Sequence, residues 1–455
     1  MPWGSKMDTP ICDFVREYAE SGTLRLHMPG HKGASMLGME QLDITEISGA
    51  DSLYEADGII ARSEENASRL FGCRTLYAAE GSSQCIRAML YLARIAAKGQ
   101  GRSPRIAAGR NAHKTFLTAA ALLDLEVTWL YPRENPNYLS CNLTPAELEA
   151  RLAVDQPTAV YLTSPDYLGN LVDIRSIAEV CHRHGALLLV DNAHGAYLKF
   201  LPESRHPMDL GADLCCDSAH KTLPVLTGGA YLHLSAEMDA VVGSQAKNAM
   251  MLFGSTSPSY LILQSLDAAN RYLKDHPRRL SDFLDSVNEL KERLRAHGYR
   301  LYGQEPLKVT IEAKPFGYTG HHLADLLREA GMEPEFADRD HLVLMLTPEL
   351  GTDALERIAQ TLCDIPPQEA IIEAPPVFRP ARRSLSIREA MLSPSEFLPV
   401  ADSFGRILAV PTVGCPPAVP ILLCGEVVDA HAAECFRYYG ITECCVVKTT
   451  GTPSG

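Results

Sequence analysis

Lys221 lies within Ser218-Ala219-His220-Lys221-Thr222-Leu223-Pro224, just past an apolar run from Ala212 to Cys216. Upstream, Asp191 ends a second such run, Ala186 to Val190, and opens Asp191-Asn192-Ala193-His194-Gly195. A lysine and an aspartate placed in this way are what pyridoxal 5'-phosphate needs. The lysine holds the cofactor aldehyde as a Schiff base, and the aspartate keeps the pyridine nitrogen protonated so that the ring accepts electrons. Taken singly, neither is informative: a lysine after a strand is usually a solvated loop charge, and an aspartate there usually caps a helix or turn. Their joint position at the carboxyl ends of strand-like runs, where open α/β sheets gather their ligands, points to an enzyme.

Two further segments fit that chemistry. Phosphate needs backbone N–H donors, hydroxyls and preferably a helix N-terminus, and Gly81-Ser82-Ser83 stands where the helix through Ile86, Met89 and Leu90 begins. Asn111-Ala112-His113-Lys114-Thr115 follows the strand-like Arg105 to Ala108. His113 there can stack on the pyridine ring or simply cap the next helix.

These residues require a scaffold of alternating strands and helices. Helical Ser83 to Lys98 is followed by strand-like Arg105 to Ala108, helical His113 to Leu123 and strand-like Glu126 to Tyr131. Thr144-Pro145-Ala146-Glu147 has the cap, first-turn proline and capping-box glutamate of a helix start. Thr158 to Leu162 reads as a strand, Asp173 caps a helix ending before Gly185, and Ala186 to Val190 delivers Asp191. This repetition predicts an α/β fold with a mostly parallel, doubly wound sheet. Long helices are expected over Ser265 to Arg295, then a smaller α/β unit from Lys308 to Cys363, then a proline-rich linker from Pro366 to Pro380. The expected divisions are an N-terminal segment (1–60), a cofactor-binding large domain (61–270), a small α/β domain (271–365) and a C-terminal domain (366–455).

Composition narrows the function. The net charge of -14 argues against a nucleic-acid partner. Thirteen cysteines without a C-x-x-C pair suit neither a disulfide framework nor a zinc site, so no metal is expected and the thiols read as buried in a reducing compartment. No segment reaches membrane-spanning length, and a cytoplasmic protein is expected.

A set of motifs in order resembles the Orn/Lys/Arg decarboxylase family, in its shorter, biosynthetic-type branch, within the aspartate-aminotransferase-like fold type I. The motifs are His27-Met28-Pro29-Gly30-His31-Lys32-Gly33, Asp43-Ile44-Thr45-Glu46, Gly81-Ser82-Ser83, Thr163-Ser164-Pro165, Asp191 with Ala193-His194-Gly195, Ser218-Ala219-His220-Lys221 and Ser255-Thr256-Ser257-Pro258-Ser259-Tyr260. A looser match continues through Gly405-Arg406-Ile407, Cys415-Pro416-Pro417-Ala418-Val419-Pro420 and Cys424-Gly425-Glu426.

The resemblance implies decarboxylation of arginine, lysine or ornithine, as in polyamine biosynthesis. It makes Lys221 the Schiff-base lysine, Asp191 the pyridinium partner and His113 the stacking ring. Ser82, Ser83, Ser218 and His220 would hold the phosphate end, and Lys221, His220 or His194 would return a proton to Cα. It further implies an obligate homodimer in which Thr256 and Ser257 reach the phosphate of the other subunit. Three positions depart from the family pattern, which usually has an acidic residue at Asn192, an asparagine at Glu80 and a glycine at Ala418. Two alternatives stay open: an aminotransferase or lyase on the same scaffold, since fold does not fix reaction, and, from the departures, a catalytically altered homologue acting as a regulatory subunit.

Overall fold

The protein is described here by a computed structural model covering residues 7–132, 138–413 and 420–449. Its centre is a seven-stranded sheet: β1 (Arg74–Ala78), β2 (Arg105–Gly109), β3 (Glu126–Leu130), β4 (Ala159–Thr163), β5 (Leu187–Asp191), β6 (Leu214–Asp217) and β7 (Ala230–Leu234). The strand order is β1-β7-β6-β5-β4-β2-β3, and only β7 runs antiparallel to its neighbours. Helices cover both faces of β4 and β5, so both faces of these strands must be apolar, and they read as continuous hydrophobic runs.

The helices are α1 (Pro10–Glu20), α2 (Ile59–Phe71), α3 (Gly81–Gly99), α4 (Lys114–Leu123), α5 (Pro145–Asp155), α6 (Ile174–Arg183), α7 (Ala219–Thr222), α8 (Ala236–Met251), α9 (Tyr260–His297), α10 (Gly320–Glu329), α11 (Gly351–Asp364), α12 (Ile387–Met391) and α13 (Ala430–Tyr438). One sheet face packs on α3, α4 and α8 through Met89, Leu90, Phe116 and Met250. The other packs on α5 and α6 through Leu148, Leu152, Ile177 and Cys181. The expected capping box at Thr144 is complete, with the Glu147 N–H donating to Thr144 Oγ1 at 3.2 Å and the Thr144 N–H to the Glu147 carboxylate at 2.8 Å.

The long helices expected over Ser265 to Arg295 are one 38-residue helix, α9, which Pro277 does not break. Its buried stripe from Leu263 through Leu280 to Leu294 continues from the N-terminal layer into the small unit, and that packing keeps it intact. The domain boundary expected at 270 therefore falls inside a helix. Beyond it, β8 (Arg300–Tyr302), β9 (Lys308–Glu312), β10 (Phe336–Ala337) and β11 (His341–Met345) form an antiparallel sheet in the order β10-β11-β9-β8. In the C-terminal segment β12 (Ser395–Pro399) pairs with β13 (Glu443–Val447). Leu408, Val428 and Phe436 from this segment share a core with Tyr138 and Leu168 of the large unit and Phe336 of the small one.

Candidate active site

The carboxyl ends of β1, β2, β4, β5 and β6 and the start of antiparallel β7 meet at one edge of the sheet. They surround a cleft of about 590 Å³ lined by Gly81, Ser82, Ser83, His113, Asp191, His194, Ser218, His220 and Lys221. Nine of the residues expected to act together are thus brought together. The segments 27–33 and 43–46 lie outside this cleft of their own chain, joined to each other by His31 Nε2 and Asp43 Oδ2 at 3.2 Å. Thr256 and Ser257 are exposed and likewise do not line it. Ala418 lies outside the described residues.

Asp191 is buried at the cleft floor, where Oδ2 accepts from the Tyr161 hydroxyl at 3.0 Å and Oδ1 from the Ala193 N–H at 3.2 Å. Its carboxylate is therefore aimed before any ligand arrives. Lys221 Nζ is 3.1 Å from His194 Nε2. Loss of solvent pushes the Lys221 amine below its ordinary pKa, against the pull of Asp191, and this favours the nucleophilic neutral form. His194 is driven well below the ordinary imidazole range, first by burial and then by the charges of Lys221 and Lys308. It is a neutral ring that shares a hydrogen bond with the Lys221 amine.

The phosphate end is built from backbone. Gly81 N–H donates to the Gly228 carbonyl at 2.7 Å, bringing the loop before β7 against the start of α3. Gly228 has φ +103°, and a Cβ there would stand 2.9 Å from the Ala79 carbonyl oxygen, so only glycine permits this approach. Ser218 Oγ donates to Ser82 Oγ at 2.8 Å, and His220 Nδ1 is held by the Gly229 carbonyl at 2.9 Å. No side chain among the described residues caps α3, and past Gly81 its first-turn N–H groups are left available to an anion. Glu80 does not fill that place: its carboxylate takes the backbone N–H of Ser255 and is exposed.

His113 caps the next helix, as one of the two expectations for its position has it. Its Nδ1 caps α4 by accepting the Thr115 N–H at 3.2 Å, and its ring lines the cleft. Two buried polar atoms of the lining, Thr163 Oγ1 and Asn111 Oδ1, have no partner among the described residues. Open helix donors, hydroxyls, an aimed carboxylate and a solvent-poor lysine fit pyridoxal phosphate.

Several contributors were not anticipated from sequence. Lys308, on β9 of the small sheet, brings Nζ to 3.4 Å from His194 Nδ1 and pairs with Glu305 at 2.7 Å. Tyr167 packs edge-on against His194 with ring centroids 5.2 Å apart, and its hydroxyl donates to Glu335 at 3.1 Å. Tyr138, Thr412 and Pro420 close the C-terminal side. That side is fastened by Arg110, which donates to Glu426 at 3.0 Å and to the Pro420 carbonyl at 2.8 Å. Both partners are almost fully buried, at 5% and 3% exposure, so the late Cys424-Gly425-Glu426 motif serves to dock this segment.

Residues 9–309 match the sequence profile of the Orn/Lys/Arg decarboxylase major domain. The chain belongs to that family. Arginine decarboxylase of Bacillus subtilis is 29% identical over 93% of this chain and 92% of its own length. Arginine decarboxylase of Halalkalibacterium halodurans is 29% identical over 92% and 91%. Among solved structures, Francisella novicida lysine decarboxylase superposes with a TM-score of 0.80 at 15% identity, covering 97% of this chain and 81% of that one. The constitutive lysine decarboxylase of E. coli gives 0.77 at 16% identity, covering 97% and 82%. The fold is the fold type I of these decarboxylases, and members of the family decarboxylate basic amino acids.

Proposed function

We propose that arginine is the substrate whose α-carboxylate this family member removes, with pyridoxal 5'-phosphate carried on Lys221. The observation that carries the reading is Lys221, its amine depressed by loss of solvent, set against neutral His194 above a floor made by buried Asp191. The choice of arginine is supported by whole-length relatives bearing that name.

Bound in this cleft, pyridoxal phosphate supplies the electron sink for the bond to the departing carboxylate. The chain's residues do the rest. The N-terminus of α3, Ser82, Ser83, Ser218 and His220 would hold the phosphate end, and His113 would stack on the ring. Asp191, fixed by Tyr161 and Ala193, would hold its charge at the pyridine nitrogen. His194 accepts a proton from Lys221 Nζ or returns one to it, and this pair, with His220 nearby, supplies the proton that replaces the carboxylate. Tyr138, Leu139 and Pro420 limit water on the open side.

In this reading the working unit is a homodimer. The segment from Ser255 is tethered to the cleft rim through Glu80 while Thr256 and Ser257 face outward, as residues serving a second subunit would. Exposed Leu24, Leu26, Met36 and Leu37 flank the His27–Gly33 motif and give a second copy apolar surface to cover. A cytoplasmic place in polyamine synthesis belongs to the same reading; the cysteines of the described residues are unpaired, and among those residues no helix is long and apolar enough to cross a membrane.

The test is incubation of cofactor-loaded protein with a panel of amino acids, with products identified by mass spectrometry. The amine of arginine with one equivalent of carbon dioxide is expected. A keto acid would make the chain an aminotransferase, and no product from any basic amino acid would remove the catalytic reading.

A further inference from the structure

Behind the cleft, and not lining it, Asp217 ends β6 one residue before Ser218. Its side chain is fully buried at 0% exposure, and every carboxylate contact is accounted for. Oδ1 accepts from Asn192 Nδ2 at 2.7 Å, with the Cys215 thiol at 3.8 Å. Oδ2 accepts from His206 Nε2 and His233 Nε2, both at 3.0 Å. His206 Nδ1 accepts the Met208 N–H at 3.4 Å, so its proton is on Nε2. His233 Nδ1 meets Thr75 Oγ1 at 2.9 Å and Cys73 Sγ at 3.8 Å, and Thr75 Oγ1 also reaches the Cys73 carbonyl at 3.3 Å. Burial opposes a charge on His233, but Asp217 outweighs it and the net direction is upward. The three ligand-type atoms converge within 4.8 Å, yet a protonated His206 Nε2 is no metal ligand, and the group is a closed hydrogen-bond network around one carboxylate.

Asn192 is the other half of this arrangement. It directly follows Asp191, its N–H donates to the Cys216 carbonyl at 2.9 Å, and its carbonyl accepts the Gly195 N–H at 2.8 Å. The side chain fits only because residue 195 is glycine, since a Cβ there would stand 2.0 Å from Asn192 Oδ1. One amide–carboxylate contact therefore fastens the turn that carries Asp191 and His194 to the turn that carries Ser218 and Lys221. Position 192 is also where the family pattern has an acid. Here the acid stands across the contact, on the neighbouring strand, with an amide facing it.

We propose that Asp217 is a positioning residue, paired with Asn192 so that amide and carboxylate together fix the spacing of the Asp191–His194 turn from the Ser218–Lys221 turn. This rests on the reading of Lys221 and Asp191 as the cofactor-holding pair. The contact has a definite polarity. A second carboxylate at 192 would place two negative oxygens at hydrogen-bond distance, where both cannot ionise. Exchanging the two side chains would keep the contact between them and both histidine bonds, the amide at 217 donating to the acid at 192 while its oxygen accepts from both histidines; it would move the charge across the contact and give up the Cys215 thiol contact.

The test is the set N192D, D217N and N192D/D217N. Three quantities are measured: melting of the cofactor-free protein, the pH midpoint of the absorbance of lysine-bound pyridoxal phosphate, and kcat and KM separately. N192D should lower kcat by at least about tenfold with little change in KM, shift the absorbance midpoint, and recover in part at lower pH as one carboxylate takes a proton. The exchange variant should return kcat to within about threefold of the parent and restore the midpoint, the coupling expected of two groups in direct contact. If N192D does not fold, recovery of a folded, absorbing protein in the exchange variant is the same positive result. An exchange variant no better than N192D, or an N192D variant indistinguishable from the parent, overturns the proposal. Should the parent take up no pyridoxal phosphate, the functional reading falls, while the melting temperatures of the cofactor-free proteins still judge the pair.

Discussion

Replacing Arg110 by methionine tests how the C-terminal segment closes the cleft. Arg110 donates to Glu426 and to the Pro420 carbonyl, and its guanidinium lies 5.7 Å from the centroid of Trp129 and 5.8 Å from that of Phe378. Methionine fills much of the same space but leaves Glu426 buried with the Leu423 N–H, at 2.8 Å, as its remaining named donor. Breaking a buried ion pair from one side costs about 3–5 kcal/mol. If the C-terminal segment of about ninety residues melts as its own unit, that loss lowers its transition by roughly 15–25 °C, whereas a chain melting as one drops only a few degrees. Differential scanning calorimetry therefore reports both the cost and the size of the cooperative unit. The pH dependence has a definite sign. Burial already raises the Glu426 pKa against the pull of Arg110, and removing Arg110 raises it further. A carboxyl whose folded pKa lies above its unfolded value costs stability above the unfolded value, so the variant should regain stability as pH falls toward the ordinary carboxylate range. Adding Glu426→Leu should recover most of the loss at neutral pH, because an apolar pair leaves no buried charge. A transition within about one degree of the parent at every pH would refute the reasoning, since a real buried pair must show some of this cost.

Asp191→Asn keeps the shape of the cleft floor and removes its charge, so turnover should fall by about 10²–10³ while cofactor occupancy, read by absorbance, changes far less. In the double variant Lys308→Met/Glu305→Gln the buried pair is removed together. His194 then loses one of the charges that hold its pKa down, and the acid limb of the kcat–pH profile should move to higher pH. For the shared site, Lys221→Ala and a Thr256/Ser257 double alanine, each inactive alone, should regain activity when their subunits are exchanged, because one of the two sites in the mixed dimer then carries no lesion. Verified exchange without activity means that the site is complete within one chain.

The sequence is legible where local rules and chemistry coincide. Thr144 and Asp173 cap the helices expected of them, and the apolar runs ending at Asp191 and Cys216 are buried strands that bring the aspartate and lysine to one sheet edge. Strand β1 was not read because its five residues include Arg74 and it sits at the sheet edge. The reversed direction of β7 also leaves no mark in Ala230–Leu234, because strand direction follows from the crossovers rather than from the residues. Lys308 begins an expected strand, and only the docking of the small sheet on the large one turns it into a neighbour of His194. Tyr161 lies on β4 beside β5 and could have been inferred as a partner of Asp191 only from strand order. Asn192 read as a lost charge in isolation. The structure shows that its amide faces a carboxylate across the strand gap, a contact between residues 25 positions apart.

The most direct test of the account is borohydride reduction of cofactor-loaded protein followed by peptide mapping. The pyridoxyl group is expected on Lys221, beside His194 and above Asp191. Its recovery on Lys114, which lines the same cleft, or on Lys308, which reaches His194 from the other side, would contradict the assignment of the site.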